Sequence, residues 1–387
     1  MEGRGLKGIG LRGQLKIDGR EFNVTTGNDP RKNVVRSEVF ESGQYLFCNE
    51  DAYDIREDVQ ESPDPQYVKE VTENQHQQTI NEIKILFRVY EKIKQLRQYL
   101  PHYRLGKVFY NRNFFPEAIE NFQRAIQINP DFVRAYQRLS HAWLMQDKPA
   151  EALEPIQQAY NKKPEYPDVV NTLGVVYTHL GQMEKASSCF KKALKLKLDM
   201  VEANFNMGVV LFLASMDDDD AQGNVVVPAR FMRTFKEMVA HKHYQSSFWQ
   251  KQFARTREVL ADGKKANVVK ELLDLQKKIL CTDASGDVMD LFFLQFMYGG
   301  KNIEGAEISQ FTQMIHDEVE AHQNYADYWN ELGIIHLIQC RDYFLKALNE
   351  FDRSQKVDPH YQNAQKNSQL LKRGKNGFLI LLRAILK

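Results

Sequence analysis

Residues 135–164 read AYQRLSHAWLMQDKPAEALEPIQQAYNKKP, and the same residue types return 34 positions upstream and 34 positions downstream. Leu139 is in register with Leu105, Leu173 and Met207; Ser140 with Gly106, Gly174 and Gly208; Trp143 with Phe109, Tyr177 and Leu211. Ala152 recurs as Ala118 and Ala186, Ile156 as Phe122 and Phe190, and Ala159 as Ala125 and Ala193. Pro164 matches Pro130, with Leu198 where a third proline would stand. Seven positions agreeing over three periods specify a structural repeat, and 34 residues is the length of a helix-turn-helix unit that stacks on copies of itself.

The chemistry of these positions follows from helix geometry. Leu105 and Phe109 are four apart and share a face, while small Gly106 between them admits the partner helix. Ala118, Phe122 and Ala125 form the facing stripe, and Pro130 closes the unit because it cannot continue a helix and biases Asn129 away from helical geometry. One hairpin leaves an apolar face open, so neighbours must stack. On these residues the stretch from Pro101 to Ser215 resembles tetratricopeptide repeats. The resemblance implies a mostly α fold, an α-α superhelical solenoid with a concave groove lined by the first helix of each repeat. It also implies that a peptide or protein partner binds there.

In that register the residues expected to line the groove are Tyr103, Lys107, Tyr110 and Asn111 in the first repeat and Arg134, Gln137, Arg138 and His141 in the second. Asn171 follows in the third, and Phe205 and Asn206 in the fourth. Aromatics and arginines among amides suit peptide recognition, and the arginines favour an acidic partner. Chaperone-binding members of the family clamp a terminal carboxylate with two lysines, two asparagines and an arginine. Here Tyr103, Lys107, Arg138, Asp168 and Thr172 stand at those places, so capture of chaperone C-termini is not implied.

Outward from the array, residues 1–56 read as a small antiparallel β module. Leu15-Lys16-Ile17, Glu21 to Val24, Val34 to Phe40 and Tyr45 to Phe47 alternate, and Asp18-Gly19, Gly27 to Pro30 and Ser42-Gly43 turn the chain between them. Its layout resembles short β modules preceding repeat arrays in bacterial proteins. Gly8 to Gly13 satisfies G-x-G-x-x-G, but a nucleotide loop needs a strand before it and a helix after it, and a strand follows here. An acidic, proline-bearing linker leads to a long helix expected over 66–100, capping the array.

Beyond 101–215 the register fades. Residues 228–324 carry helical apolar stripes, among them Phe231, Phe235, Met238 and Val268, Leu272, Leu275, Ile279, and are expected to form degenerate hairpins or a separate insertion. Asp217 to Asp220 fails as an EF-hand loop, since its sixth and twelfth places hold Gln222 and Pro228. The repeat letters return over 325–387 as Leu332, Gly333, Ala347, Phe351, Ser354 and Pro359, which predicts a last hairpin and a capping helix. Phe378 to Leu386 holds one charge, Arg383, so it must be covered by the preceding helices, by a second copy in a homodimer or by a membrane surface, and the last needs a strong polar face and a second anchor that the segment does not show.

Composition narrows the function. The 387 residues balance 52 basic against 51 acidic groups, which disfavours a general polyanion binder. Cys48, Cys189, Cys281 and Cys340 have no metal or disulfide spacing, and no window is long and apolar enough for a membrane span, so a cytoplasmic protein is expected. His241 and His243 alternate, His316 and His322 are six apart, and no G-x-S-x-G or P-loop occurs. The reading is a non-catalytic adaptor without cofactor or small-molecule substrate. The alternatives are a regulatory subunit of an enzyme complex, or a nucleic-acid-associated protein using Lys107, Arg134 and Arg138.

Overall fold

A computed structural model describes residues 10–30, 32–53, 65–216, 223–280, 285–298, 312, 326–360 and 362–385. It falls into two compact units, residues 1–82 with 94–284 and residues 83–93 with 285–387. The acidic run 217–220, His316, His322 and Cys281 lie outside the described residues.

In the first unit, strands β1 (Gly10–Ile17), β2 (Arg20–Asp29), β3 (Val34–Glu41) and β4 (Gln44–Ala52) form an antiparallel meander in chain order. Asp18-Gly19 and Ser42-Gly43 make the two tight turns with positive φ at both residues, the backbone twist that matches paired strands. Gly10 to Gly13 lie within β1, so that part of the glycine-rich run is strand. Alternation puts Phe22, Val24, Val35 and Val39 on one buried face.

Helix α1 (Pro65–Ile93) backs this sheet as far as Glu82: Thr26 bonds the His76 ring at 2.8 Å, and Asn49 donates to Glu82 at 2.7 Å. The sheet is also fastened to the first repeat. Phe22 and Phe47 meet the Phe114 ring edge-on, and Arg20 pairs with both Glu41 and Glu117. The helix predicted over 66–100 ends at Ile93, and the next begins at Tyr99.

The repeats are α2 (Tyr99–Asn111) with α3 (Phe115–Ile128), α4 (Val133–Met145) with α5 (Pro149–Lys162), and α6 (Pro167–His179) with α7 (Met183–Leu196). Close approach explains the small-residue position. A Cβ on Gly106 would sit 2.7 Å from the Phe122 ring, and one on Gly174 2.5 Å from Phe190. Ser140 faces the slimmer Ile156 in register with those rings, and its hydroxyl donates to the Ala152 carbonyl at 2.9 Å. The turns inside the three repeats share a second register: Asn113, Asp147 and Gly181 are 34 apart and all left-handed. Asn, Asp and Gly are the residues that tolerate this geometry.

Helix α8 (Val201–Leu213) pairs with α9 (Ala229–Ala240), and at Gly208 the close neighbour is the Thr234 hydroxyl, 2.6 Å from where a Cβ would sit, with the Phe231 ring farther off at 3.5 Å. The unit continues through a short turn of helix at Lys242–Tyr244, α10 (Ser247–Asp262) and α11 (Lys265–Ile279). Gly263, left-handed at φ 67°, ends α10 and redirects the chain into α11. Phe231, Phe235, Tyr244, Trp249 and Phe253 form one aromatic core, in which the Tyr244 hydroxyl donates to Glu202 at 2.8 Å.

The second unit contains α12 (Ser285–Tyr298), α13 (Ala326–Val357) and α14 (Gln362–Ile385). Here the structure corrects the expected repeat hairpin: residues 326–357 are one unbroken helix. The reason is local. No Gly or Pro stands between His336 and Ala347, and a Cβ on Gly333 would meet nothing within 4 Å, so no helix is drawn against it. The hairpin that does form joins α13 to α14, with Asp352 accepting from Ser368 and Lys372. Side chains from Phe378 onward lie outside the described residues.

Candidate partner-binding face

Helices α2, α4, α6 and α8 are the first helices of successive repeats, and their common face divides into an accessible and a covered part. On α2 and α4, Tyr103, Lys107, Asn111, Gln137 and Arg138 are half-buried and Arg134 is exposed. Tyr103 packs edge-on against Phe132 at 4.8 Å while the Lys107 ammonium lies 6.0 Å from its ring. The ring is therefore held at the head of α4 with a cation beside it.

The remaining expected groove residues are buried. Tyr110 packs on Phe115 in the turn of the first repeat. Phe205 lies in the aromatic core, 5.9 Å from Phe231, because α9 closes on that side of α8. His141, Asn171 and Asn206 form buried polar contacts between repeats. Asn206 donates to the Asn171 carbonyl oxygen at 3.0 Å, while Gln137 and His141 both reach the Thr172 hydroxyl, at 3.2 and 3.1 Å. Thr172 donates its one proton to the Asp168 carbonyl, so both neighbours must donate to it. His141 accordingly carries its proton on Nε2 and is neutral, since complete burial and then Arg138 hold its pKa well below the ordinary value.

What covers the later part of the face is α11, which packs on α4, α6 and α8. Its stripe of Val268, Leu272, Leu275 and Ile279 is buried and joins the core that holds Phe205, Val209 and Phe212. At its C-terminal end Lys277 bonds Asp147 at 2.6 Å and Asp274 at 2.9 Å. Burial alone would lower the Lys277 pKa, but these two carboxylates outweigh it and hold it up. His179, near the same ammonium, is pushed down to about 4, by burial first and Lys277 second.

The fit of α11 is incomplete. Gln276 is fully buried with neither amide atom partnered, and on the repeat side His141 Nδ1 and Asn206 Oδ1 have no partner. An orphaned buried polar atom costs on the order of 1–3 kcal/mol. Beside α11 a cleft of about 560 Å³ is lined by Asp147, His179, Val269, Lys270 and Leu273 among others.

The covering helix has a trace in the sequence that periodicity alone overlooks. The register 107, 141, 175, 209 reads Lys, His, Val, Val, and 111, 145, 179, 213 reads Asn, Met, His, Leu. A face that turns apolar along the array calls for a cover. Among the described residues no group of three or more His, Cys, Asp or Glu could hold a metal ion, and no helix is long and apolar enough to cross a membrane.

Family models match within the repeat array. The family described as TPR repeat matches residues 106–147, and the one described as tetratricopeptide repeat matches residues 167–200. This chain therefore carries tetratricopeptide repeats within residues 106–200. It is 28% identical over 102 residues, 26% of its length, to the general transcriptional corepressor ssn6 of Schizosaccharomyces pombe, and 29% identical over 92 residues, 24% of its length, to human tetratricopeptide repeat protein 13. Those stretches span only 9% and 11% of the two relatives. Among solved structures, MamA from Desulfovibrio magneticus aligns over 46% of this chain and 96% of its own at 15% identity and TM-score 0.35. The repeat protein YrrB aligns over 51% and 97% at 16% identity and TM-score 0.31.

Proposed function

We propose that this protein is a non-catalytic adaptor that holds a protein or peptide partner against the first-helix face of its repeats. The observation that carries the reading is the accessible part of that face, where Tyr103, Lys107, Arg134, Gln137 and Arg138 stand on adjacent helices. Cations and amides beside a fixed aromatic ring suit a segment bearing acidic side chains, which the guanidinium groups bond and the ring packs against.

The test uses purified full-length protein against a displayed library of random peptides. Acidic peptides are expected among those selected, and the double variant Arg134→Glu, Arg138→Glu should bind them at least tenfold more weakly with unchanged helicity, because two attractions become repulsions. Equal binding by wild type and double variant would move the partner site off this face.

A further inference from the structure

We propose that the covered part of the face, over α4, α6 and α8, is a receptor for an amphipathic helix, and that α11 is its built-in occupant, displaced when a partner helix of the same pattern arrives. The inference rests on the reading of the first-helix face as the binding surface, and it adds the partner's conformation and pattern.

Four observations carry it. First, a helix is already seated there. Helix α11 lies on three successive first helices, so the width and chemistry of this part suit a helix. Second, the contact is a stripe. Val268, Leu272, Leu275 and Ile279 are spaced four, three and four apart and share one buried cluster with Val209 and Phe212 of α8 and with Phe253 and Leu260 of α10, which sets the anchors a partner must present to those helices. Third, one charge fixes the end. Lys277, two residues before the last anchor, bonds Asp147 in the turn of the second repeat, so a partner needs a cation at that place. Asp147 is 81% exposed, which leaves it within reach of an incoming side chain.

The fourth observation concerns the quality of the fit. Both amide atoms of Gln276 are buried without partners, and an open cleft runs beside α11. A partner with an apolar residue at the place of Gln276 removes that defect, and a larger one toward the cleft covers more surface. Such a helix outcompetes α11 despite the advantage that tethering gives the resident segment.

The probe is a fluorescent synthetic peptide of residues 264–280, titrated into the full chain by anisotropy. Wild type should bind it weakly, since the tethered copy competes. Leu272→Asp in the full chain puts a carboxylate in the buried stripe of α11 and frees the receptor. That variant should bind the probe at least 30-fold more tightly, and a probe carrying the same change should not bind. A folded variant with helicity like wild type and probe binding within twofold of it would overturn the proposal.

Should Leu272→Asp not fold, native-state hydrogen exchange on wild type decides. Amides of α11 should exchange at least 100-fold faster than those of α4 and α6, and equal exchange would make α11 a fixed part of the core. Adding Arg134→Glu and Arg138→Glu to Leu272→Asp should leave probe binding intact. Loss of acidic-peptide binding without probe binding would sink the helix receptor alone, and the reverse would sink the acidic site alone.

Discussion

The two ends of the same helix face differ in what they present. At α2 the register places carry Tyr103, Lys107 and Asn111, all partly accessible; at α8 the same places carry Phe205, Val209 and Leu213, and the first two are fully buried. The backbone repeat is the same at both ends, since Gly106 and Gly208 each admit a partner helix. The difference shows that the repeat sets where the helices lie, while the variable places in each repeat decide what lies on them.

The comparison breaks most visibly by exchanging its ends. Val209→Lys should put an unpaired ammonium into the core shared with α11 and cost about 3–5 kcal/mol. Lys107→Val should change stability by no more than about 0.5 kcal/mol. Urea midpoints of the two variants check this, and equal shifts would mean that the two ends are covered alike. Ala152, fully buried between repeats, belongs with the first class, and Ala152→Arg should cost about as much as Val209→Lys.

A second effect, on the order of 3 kcal/mol, lies in pH. His179 has a folded pKa of about 4 against an ordinary 6.5, held down by burial and then by Lys277, with Asp147 and Asp274 opposing. The unfolded chain therefore takes up this proton near pH 6.5 while the folded chain refuses it until about pH 4. Stability is full above pH 6.5, falls as pH drops toward 4, and levels off below it. The buried neutral His141 adds in the same direction. The difference between wild type and His179→Gln across this window isolates His179, and parallel profiles would mean that α11 does not hold that ring dry.

What was legible in the sequence was whatever packing repeats. Gly106, Ser140 and Gly174 announce themselves because each must clear a facing side chain at every turn of the stack. Asn113, Asp147 and Gly181 obey an equally strict backbone rule but use three different letters, so the rule is visible only once φ is known. The stripe Val268 to Ile279 reads as an amphipathic helix, yet an apolar stripe says only that a helix must be covered, and leaves its address open. Asn171 and Asn206 read as solvent-facing because they are polar, whereas in the fold both are buried and the Asn206 amide donates to the Asn171 oxygen. The letters of 332–359 mimic a repeat, but no Gly or Pro between His336 and Ala347 turns the chain, and the helix runs on to Val357.

The glycines sharpen that last point with a change of sign. Gly106→Ala would press a methyl group into the Phe122 ring and should cost about 1–2 kcal/mol. Gly333→Ala meets open space inside a helix and should stabilise by about 0.5–1 kcal/mol, because glycine loses more freedom on folding than alanine. Thermal midpoints moving in opposite directions would confirm that Gly333 marks no helix crossing. A loss at both sites would restore the repeat packing at 332–359.

The smallest effect concerns Asp147, where turn geometry and the α11 contact meet in one residue. Its φ of 56° is left-handed, which Asn also tolerates, so Asp147→Asn removes the charge and leaves the turn. Lys277 keeps Asp274 at 2.9 Å, and the Asp147 carboxylate is 81% exposed, so losing this bond should cost roughly 0.5 kcal/mol. That loss should shrink in high salt, because an exposed partner is screened. Asp147→Ala loses the charge and also strains the turn, for roughly 1 kcal/mol more, and that second part should not respond to salt. Urea midpoints of both variants at low and high ionic strength separate the two. If Asp147→Asn costs as much as Asp147→Ala, the ion pair rather than the turn is what this place in the repeat supplies. If Asp147→Asn costs nothing at low salt, α11 is held by its apolar stripe alone.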